Sequence, residues 1–284
     1  MKIIHKISEM QKFSASARRK GKTVALVPTM GCLHKGHLSL IDKAKKCADL
    51  TVVSIFVNPT QFGPKEDFSK YPRPIERDIA QCRKHGADAV FLPEAKEMYP
   101  KDSSTWVEEL MLTRGLCGRS RPGHFKGVTT VVTKLFNAAL PDIAVFGKKD
   151  FQQARVICRM VRDLNFPIRI ILHETVREKD GLAMSSRNTY LSPEERKNAL
   201  AIRRSLISAK SAILSGRKKI GCIGKMIRDE ISSAGGRVDY VEIVDSSTLE
   251  PLAKLSGNIL IAVASFFGKT RLIDNIDFKI STGG

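Results

Sequence analysis

The chain has 284 residues, 42% of them hydrophobic, and 48 Lys and Arg against 29 Asp and Glu give it a net charge of +19. This length is long for one domain and comfortable for two, and the apolar share excludes wholesale disorder. The charge would suit nucleic acid or an anionic membrane, but the basic residues are scattered and lack aromatic-flanked basic runs, so they read as a Lys-rich surface with anionic small substrates.

Along the chain, Thr23–Thr29 is a short β-branched run expected to break at Pro28. His37–Ala48 carries apolar residues at helical spacing, and Leu50–Val57 is the nearly continuous apolar run of a central parallel strand. The polar stretch Asn58–Pro74 reads as a functional or mobile loop. A helix over Ile75–His85, strands over Ala87–Pro93 and Asp142–Phe146, a helix over Phe151–Leu164 and a strand over Ile168–Val176 continue the alternation. Such alternation predicts an α/β fold with a doubly wound parallel sheet. Ligands of such sheets bind beyond the carboxyl ends of the strands, which marks 28–37, 58–71 and 147–150.

After Val176 the texture changes. A polar turn leads through Ser192-Pro193, a good N-cap and first-turn pair, into a helix, and a second amphipathic stretch covers Ile220–Ala234. Alternating runs at Val238–Val244, Ile259–Ser265 and Arg271–Ile280 read as a small antiparallel sheet. We therefore expect domains at 1–176 and 177–284. The six cysteines form no C-x-x-C pair and no zinc spacing, which suits a reducing compartment. With no signal-peptide core and no apolar run of transmembrane length, a soluble cytoplasmic protein without membrane or nucleic-acid partners is expected.

Four segments carry chemistry. In Val27–His37, His34 and His37 bracket Gly36 at a strand-to-helix turn, where backbone amides and two imidazoles can meet phosphate. In Met184–Asn188, two hydroxyls and the Arg187 guanidinium suit a triphosphate. In Phe146–Gln153, Lys149 can reach phosphates, Asp150 can cap a helix or meet an adenosine hydroxyl or magnesium, and Gln153 can offer an amide to a polar substrate. In Ser54–Gly63, Asn58 and Gln61 are uncharged donors and acceptors suited to a hydroxy acid.

The H-x-G-H spacing at His34–His37 resembles that of the nucleotidyltransferase superfamily. The motifs PTMGCLHKGH, SIFVNPTQF, RPGHFKGV, FGKKDFQQ and DGLAMSSRN stand together in one order, and through them the stretch 23–195 resembles the pantothenate synthetase (pantoate–β-alanine ligase) family. The resemblance implies a Rossmann-like N-terminal domain, a smaller C-terminal α+β lid domain and a homodimer. It also implies ATP-dependent activation of pantoate, with magnesium, to pantoyl adenylate, followed by attack of β-alanine. It places Pro28, Thr29, Met30, Gly31, His34, Gly36, His37, Gly147, Lys148, Lys149, Asp150, Val176, Met184, Ser185, Ser186 and Arg187 at ATP, with His34, His37, Lys149, Ser185, Ser186 and Arg187 catalytic. It places Asn58, Gln61, Gln153, Met30, Val131 and Val132 at pantoate, Arg121 and His124 near the amine substrate, and Asp78 at magnesium. Cys32, Lys148 and Arg77 depart from the family's frequent Ala, Glu and acid. A nucleotidyltransferase of the same superfamily remains the alternative; its phosphate acceptor would favour arginine where Asn58, Gln61 and Gln153 stand.

Overall fold

The computed structural model describes residues 1–64, 66–216 and 219–280. The chain forms two compact units. The first holds Met1–Leu110, Arg121–Lys148 and Gln153–Glu174; the second holds Met111–Ser120, Lys149–Gln152 and the chain from Thr175 onward.

In chain order the elements up to residue 173 are β1 (Lys2–Ile4), α1 (Ile7–Arg19), β2 (Val24–Thr29), α2 (Lys35–Lys45), β3 (Leu50–Ile55), α3 (Ile75–Lys84), β4 (Ala89–Phe91), α4 (Ala95–Met98), α5 (Leu116–Ser120), α6 (His124–Ala139), β5 (Ile143–Gly147), α7 (Phe151–Asp163) and β6 (Arg169–His173). Among the described residues the first unit's sheet has six strands in the order β1-β4-β3-β2-β5-β6, every pairing parallel. Strand order therefore reverses between β2 and β5, where a doubly wound sheet opens its crevice. Ala25, Val27, Val53, Val90 and Val145 from the strands pack with Leu40, Ile41 and Ala44 of α2 on one face.

One expectation needs correction. Strand β2 does not break at Pro28: it pairs with β3 through Thr29, with Pro28 opposite Ser54. Its ladder to β5, however, stops after Leu26, short of the proline, which has no amide hydrogen to give. β5 runs on to Gly147, so the two strands part from one another at their carboxyl ends while each stays paired on its other side.

Helix α6 is the element that local pattern does not reveal, because its sequence, HFKGVTTVVTKLFNAA, is rich in β-branched residues and reads as strand by propensity. Burial overrides propensity here: Phe125, Val128, Val131, Val132, Leu135 and Phe136 are all buried. Thr129 uses its hydroxyl on the Phe125 carbonyl one turn back, 2.8 Å away, and on Val107 O at 2.6 Å.

The second unit adds α8 (Pro193–Asn198), α9 (Leu200–Leu214), α10 (Ile220–Ser233), β7 (Arg237–Asp245), β8 (Gly257–Phe267) and β9 (Thr270–Ile280). Ser192 caps α8 through a reciprocal bond with Glu195. The antiparallel sheet runs β7-β8-β9 and buries Ile243, Ile261, Val263 and Leu272 against Ile202, Leu206, Ile223 and Ile227 of α9 and α10. No helix among the described residues is long and apolar enough to cross a membrane.

Gly127 lets α6 approach the turn that follows β3. A Cβ there would overlap the Thr60 carbonyl and stand 2.7 Å from the Gln61 nitrogen, both rigid backbone. We predict that Gly127→Ala costs about 1–3 kcal/mol despite alanine's better helix propensity. Calorimetry should then show a melting temperature several degrees lower; a rise would refute the packing constraint.

Candidate active site

The site is built on the turn between β2 and α2. The Thr29 hydroxyl donates to Ser54 O at 2.8 Å and accepts the Gly31 amide at 3.1 Å. Gly31 and Cys32 then both adopt positive φ, 82° and 50°. A Cβ on Gly31 would stand 3.0 Å from Asp78 Oδ2 and 3.1 Å from Ile55, so glycine is required twice over. This backbone aims two successive amides at one carboxylate: Cys32 N lies 2.7 Å from Asp78 Oδ2 and Leu33 N 2.8 Å from Oδ1. Arg77 of the same helix donates to Leu33 O at 3.0 Å, so α3 grips the turn from a donor and an acceptor together.

Asp78 is 1% exposed. Burial is the largest influence on its carboxyl and raises its pKa, opposed by the two amides and Arg77. Asp78, expected as a magnesium contact, has both oxygens engaged by backbone amides in a buried place. Among the described residues no group of three or more His, Cys, Asp or Glu side chains stands ready to hold a metal. Burial, then the charge of Asp78, also pushes the Cys32 thiol up, which fits a small packing residue.

His34 is the N-cap of α2. Its Nδ1 accepts the Gly36 amide at 3.1 Å, and the Nδ1 of His37 accepts the His34 amide at a longer 3.4 Å, a reciprocal cap made of two imidazoles. The rings stack with centroids 4.0 Å apart and planes at 28°. An Nδ1 that accepts carries no hydrogen, so the ring hydrogen of each neutral imidazole sits on Nε2. The cap therefore sets both histidines as Nε2 donors at the start of a helix, which is where a phosphate oxygen is favoured.

Gln61 is held by its neighbours. Its Oε1 accepts from Asn58 Nδ2 at 3.1 Å and its Nε2 donates to Met30 Sδ at 3.0 Å, which ties the second motif to the first. Asn58 is fully buried and satisfied inside the protein: Nδ2 also donates to Gly127 O at 3.1 Å, while Oδ1 accepts from Thr60 N and Oγ1 and from Tyr99 Oη. Asn58, expected at pantoate, orients Gln61 through the Nδ2–Oε1 bond. Tyr99 had no signal in the sequence, being 41 residues away along the chain.

Arg121 and His124, expected near the amine substrate, anchor the loop. Arg121 donates from Nε and Nη2 to Glu66, both at 2.6 Å, and from Nη1 to His124 Nε2 at 3.0 Å. Nδ1 of His124 donates to Gln61 O at 2.8 Å. Phe62, Phe68 and Tyr71 cluster within this loop, and the Arg73 guanidinium lies 5.3 Å from the Phe68 ring. The stretch is internally packed, not merely polar. On α6, Val131 and Val132 are buried. Gln153 is partly exposed on α7, and Lys148 at the end of β5 donates to Glu174 at 2.6 Å.

In the second unit, Lys149 and Asp150 lie in a 3-10 turn, their charges 3.7 Å apart. Gln152 is buried and clamps Cys117 N, Leu112 O and Gly115 O, a structural role with no signal in the sequence. Residues 176–184 form a hairpin in which Met184 N donates to Val176 O at 3.0 Å. Ser185 then caps the 3-10 turn Ser186–Tyr190 by accepting the Arg187 amide at 3.3 Å.

The family profile described as pantoate-beta-alanine ligase matches residues 2–277. The chain belongs to that family. It is 55% identical over 276 residues to a pantothenate synthetase of Thermotoga neapolitana, covering 97% of this chain and 99% of that one. It is 51% identical over 282 residues to that of Moorella thermoacetica, covering 99% and 100%. A pantothenate synthetase structure from Thermus thermophilus matches with a TM-score of 0.91 at 43% identity, covering 97% and 99%. A Francisella tularensis pantoate-beta-alanine ligase, solved with beta-gamma ATP and beta-alanine, matches with a TM-score of 0.80 at 34% identity, covering 97% of each chain.

Two outcomes follow from the geometry. Asp78→Asn places an amide NH₂ against one of two backbone donors and should cost about 1–3 kcal/mol, seen as a lower urea midpoint. An unchanged midpoint would show that the turn does not depend on the carboxylate. For Glu66, burial raises its pKa but the Arg121 hydrogen bond and charge outweigh it, leaving it below its ordinary 4.5. Its stabilising contribution is then present above 4.5 and lost as pH falls through the lowered value. Glu66→Gln should flatten the acid limb of stability against pH, and an unaltered slope would contradict the pairing.

Proposed function

We propose that the chain joins pantoate to β-alanine at the expense of ATP, forming pantothenate, AMP and pyrophosphate. The observation that carries the reading is the paired-imidazole cap of α2 beside an internally tethered Gln61, within a chain that belongs to this family. The cap suits phosphate, and a neutral amide suits the oxygens of a hydroxy acid.

In the first step a pantoate carboxylate oxygen attacks the α-phosphorus of ATP, the bond to the bridging oxygen breaks, and pyrophosphate leaves with that electron pair. His34 and His37 donate from Nε2 to phosphate oxygens as negative charge builds on the leaving group. Lys149, Ser185, Ser186 and Arg187 are assigned to the same phosphates, Lys148 to added positive charge, and Gly147, Asp150, Val176 and Met184 to the rest of the nucleotide. Gln61 and Gln153 orient pantoate, with Met30, Val131 and Val132 beside it. In the second step the β-alanine nitrogen attacks the acyl carbon, AMP leaves, and the nitrogen loses a proton. Magnesium would arrive bound to the triphosphate, with Asp78 the protein contact that the resemblance implies. Assembly as a homodimer and residence in the cytoplasm belong to the same reading; the first predicts a solution mass of twice 31.5 kDa by light scattering.

The deciding measurement is exchange of labelled pyrophosphate into ATP without β-alanine. Exchange that requires pantoate is expected, and folded, ATP-binding protein that shows none would overturn the reading. His37→Ala and Lys149→Ala should each slow that exchange by about two decades or more. Near-unaltered single-turnover rates in both would remove those residues from the chemistry.

A further inference from the structure

The C-terminal strand β9 carries no functional motif, yet it holds two adjacent polar residues that are both buried, Asp274 at 4% exposure and Asn275 at 7%. Successive strand residues face opposite sides, so side chains from one point of the strand reach two different segments. From Thr270 to Asp274 buried and half-buried positions alternate, and Asn275 breaks that pattern. β9 is also an edge strand, bonded to β8 alone within its sheet.

Asp274 takes a bidentate bond from Arg177, Nη1 to Oδ2 at 2.6 Å and Nη2 to Oδ1 at 3.0 Å. The same Nη1 donates to Gly181 O at 3.1 Å, so the guanidinium spans the hairpin from its first strand to its tip. Gly181 has φ +97°, and the hairpin is otherwise held by Glu178 N to Leu182 O at 2.8 Å and Met184 N to Val176 O at 3.0 Å. It delivers the chain directly into Ser185, Ser186 and Arg187, and Asn188 returns a bond to Ala183 O at 3.1 Å. Asn275 donates from Nδ2 to the main-chain oxygen of Lys149 at 2.9 Å. Its own amide donates to Asp274 Oδ1 at 2.8 Å, which links the two anchors.

We propose that Asp274 and Asn275 are positioning residues for the adenylation half-reaction: from one point of β9 they fix both the Lys149 backbone and the hairpin that presents Ser185, Ser186 and Arg187. This rests on the phosphate roles proposed above for those residues. A planar bidentate pair buried at the base of a hairpin restricts rotation as well as distance. A displacement of about 1 Å at a charge-stabilising group is enough for large losses in rate. Lys149, Ser185, Ser186 and Arg187 serve the leaving pyrophosphate, which the aminolysis step lacks; that step keeps only the hairpin's adenylate contacts at Val176 and Met184, so it should need the anchor less.

The test compares Asn275→Leu and Asp274→Asn with the unaltered full chain in two assays. One is pantoate-dependent pyrophosphate–ATP exchange; the other is single-turnover attack of β-alanine on supplied pantoyl adenylate. We expect exchange to fall about tenfold or more in each variant while aminolysis falls several-fold less. Exchange within about twofold of the unaltered chain, or an equal fall in both half-reactions, would overturn the proposal. Should Asp274→Asn fail to fold, leaving Arg177 without its partner, Asn275→Leu keeps that ion pair and decides alone. An unaltered chain that aminolyses pantoyl adenylate but shows no exchange would sink the ligase reading itself, and this inference with it.

Discussion

Asp78 receiving the amides of Cys32 and Leu33 is the contact on which the rest of the first unit's site depends. A chain leaving a buried parallel strand must turn, and the backbone donors exposed by the turn need acceptors. Here the acceptor is a carboxylate from α3, packed so closely that Gly31 has no room for a Cβ. The arrangement resembles an anion nest in which the anion belongs to the protein. Its consequence is a rigid approach to α2, so that the two imidazoles of the cap, His34 and His37, are held in one fixed arrangement.

The same division of labour runs through the other polar residues. Asn58, Arg121 and His124 looked chemical in the sequence, and the structure satisfies each of them internally. They hold other groups in place: Asn58 orients Gln61, and Arg121 with His124 clamps the Gln61 carbonyl and Glu66. A buried amide with all its hydrogen bonds made has nothing to gain by turning to a substrate, and much to lose. Gln61 differs because its partners are another amide and a thioether, the latter a weak acceptor that a stronger one can displace.

Much of this was legible from local pattern. The apolar run at Leu50–Ile55, the 3.6-residue spacing of α2 and α3 and the alternation of β7, β8 and β9 all appear close to where periodicity put them. Where the pattern misled, packing had overruled propensity. Helix α6 is written in strand-forming residues and is helical because so many of its side chains are buried. Pro28 read as a break, yet a parallel strand tolerates it where one neighbour falls away.

By itself, then, the sequence determined the α/β class, the strand-to-helix turns and the residue types suited to anionic substrates, because those follow from short-range periodicity and from side-chain chemistry. Only the tertiary structure decided which polar residues are spent on the protein and which remain for a ligand. That choice depends on partners 41, 63 or 126 positions away, as for Asn58 with Tyr99, Gln61 with His124 and Lys149 with Asn275. Hydrogen-bond satisfaction is a property of three-dimensional neighbours, and no local pattern encodes it.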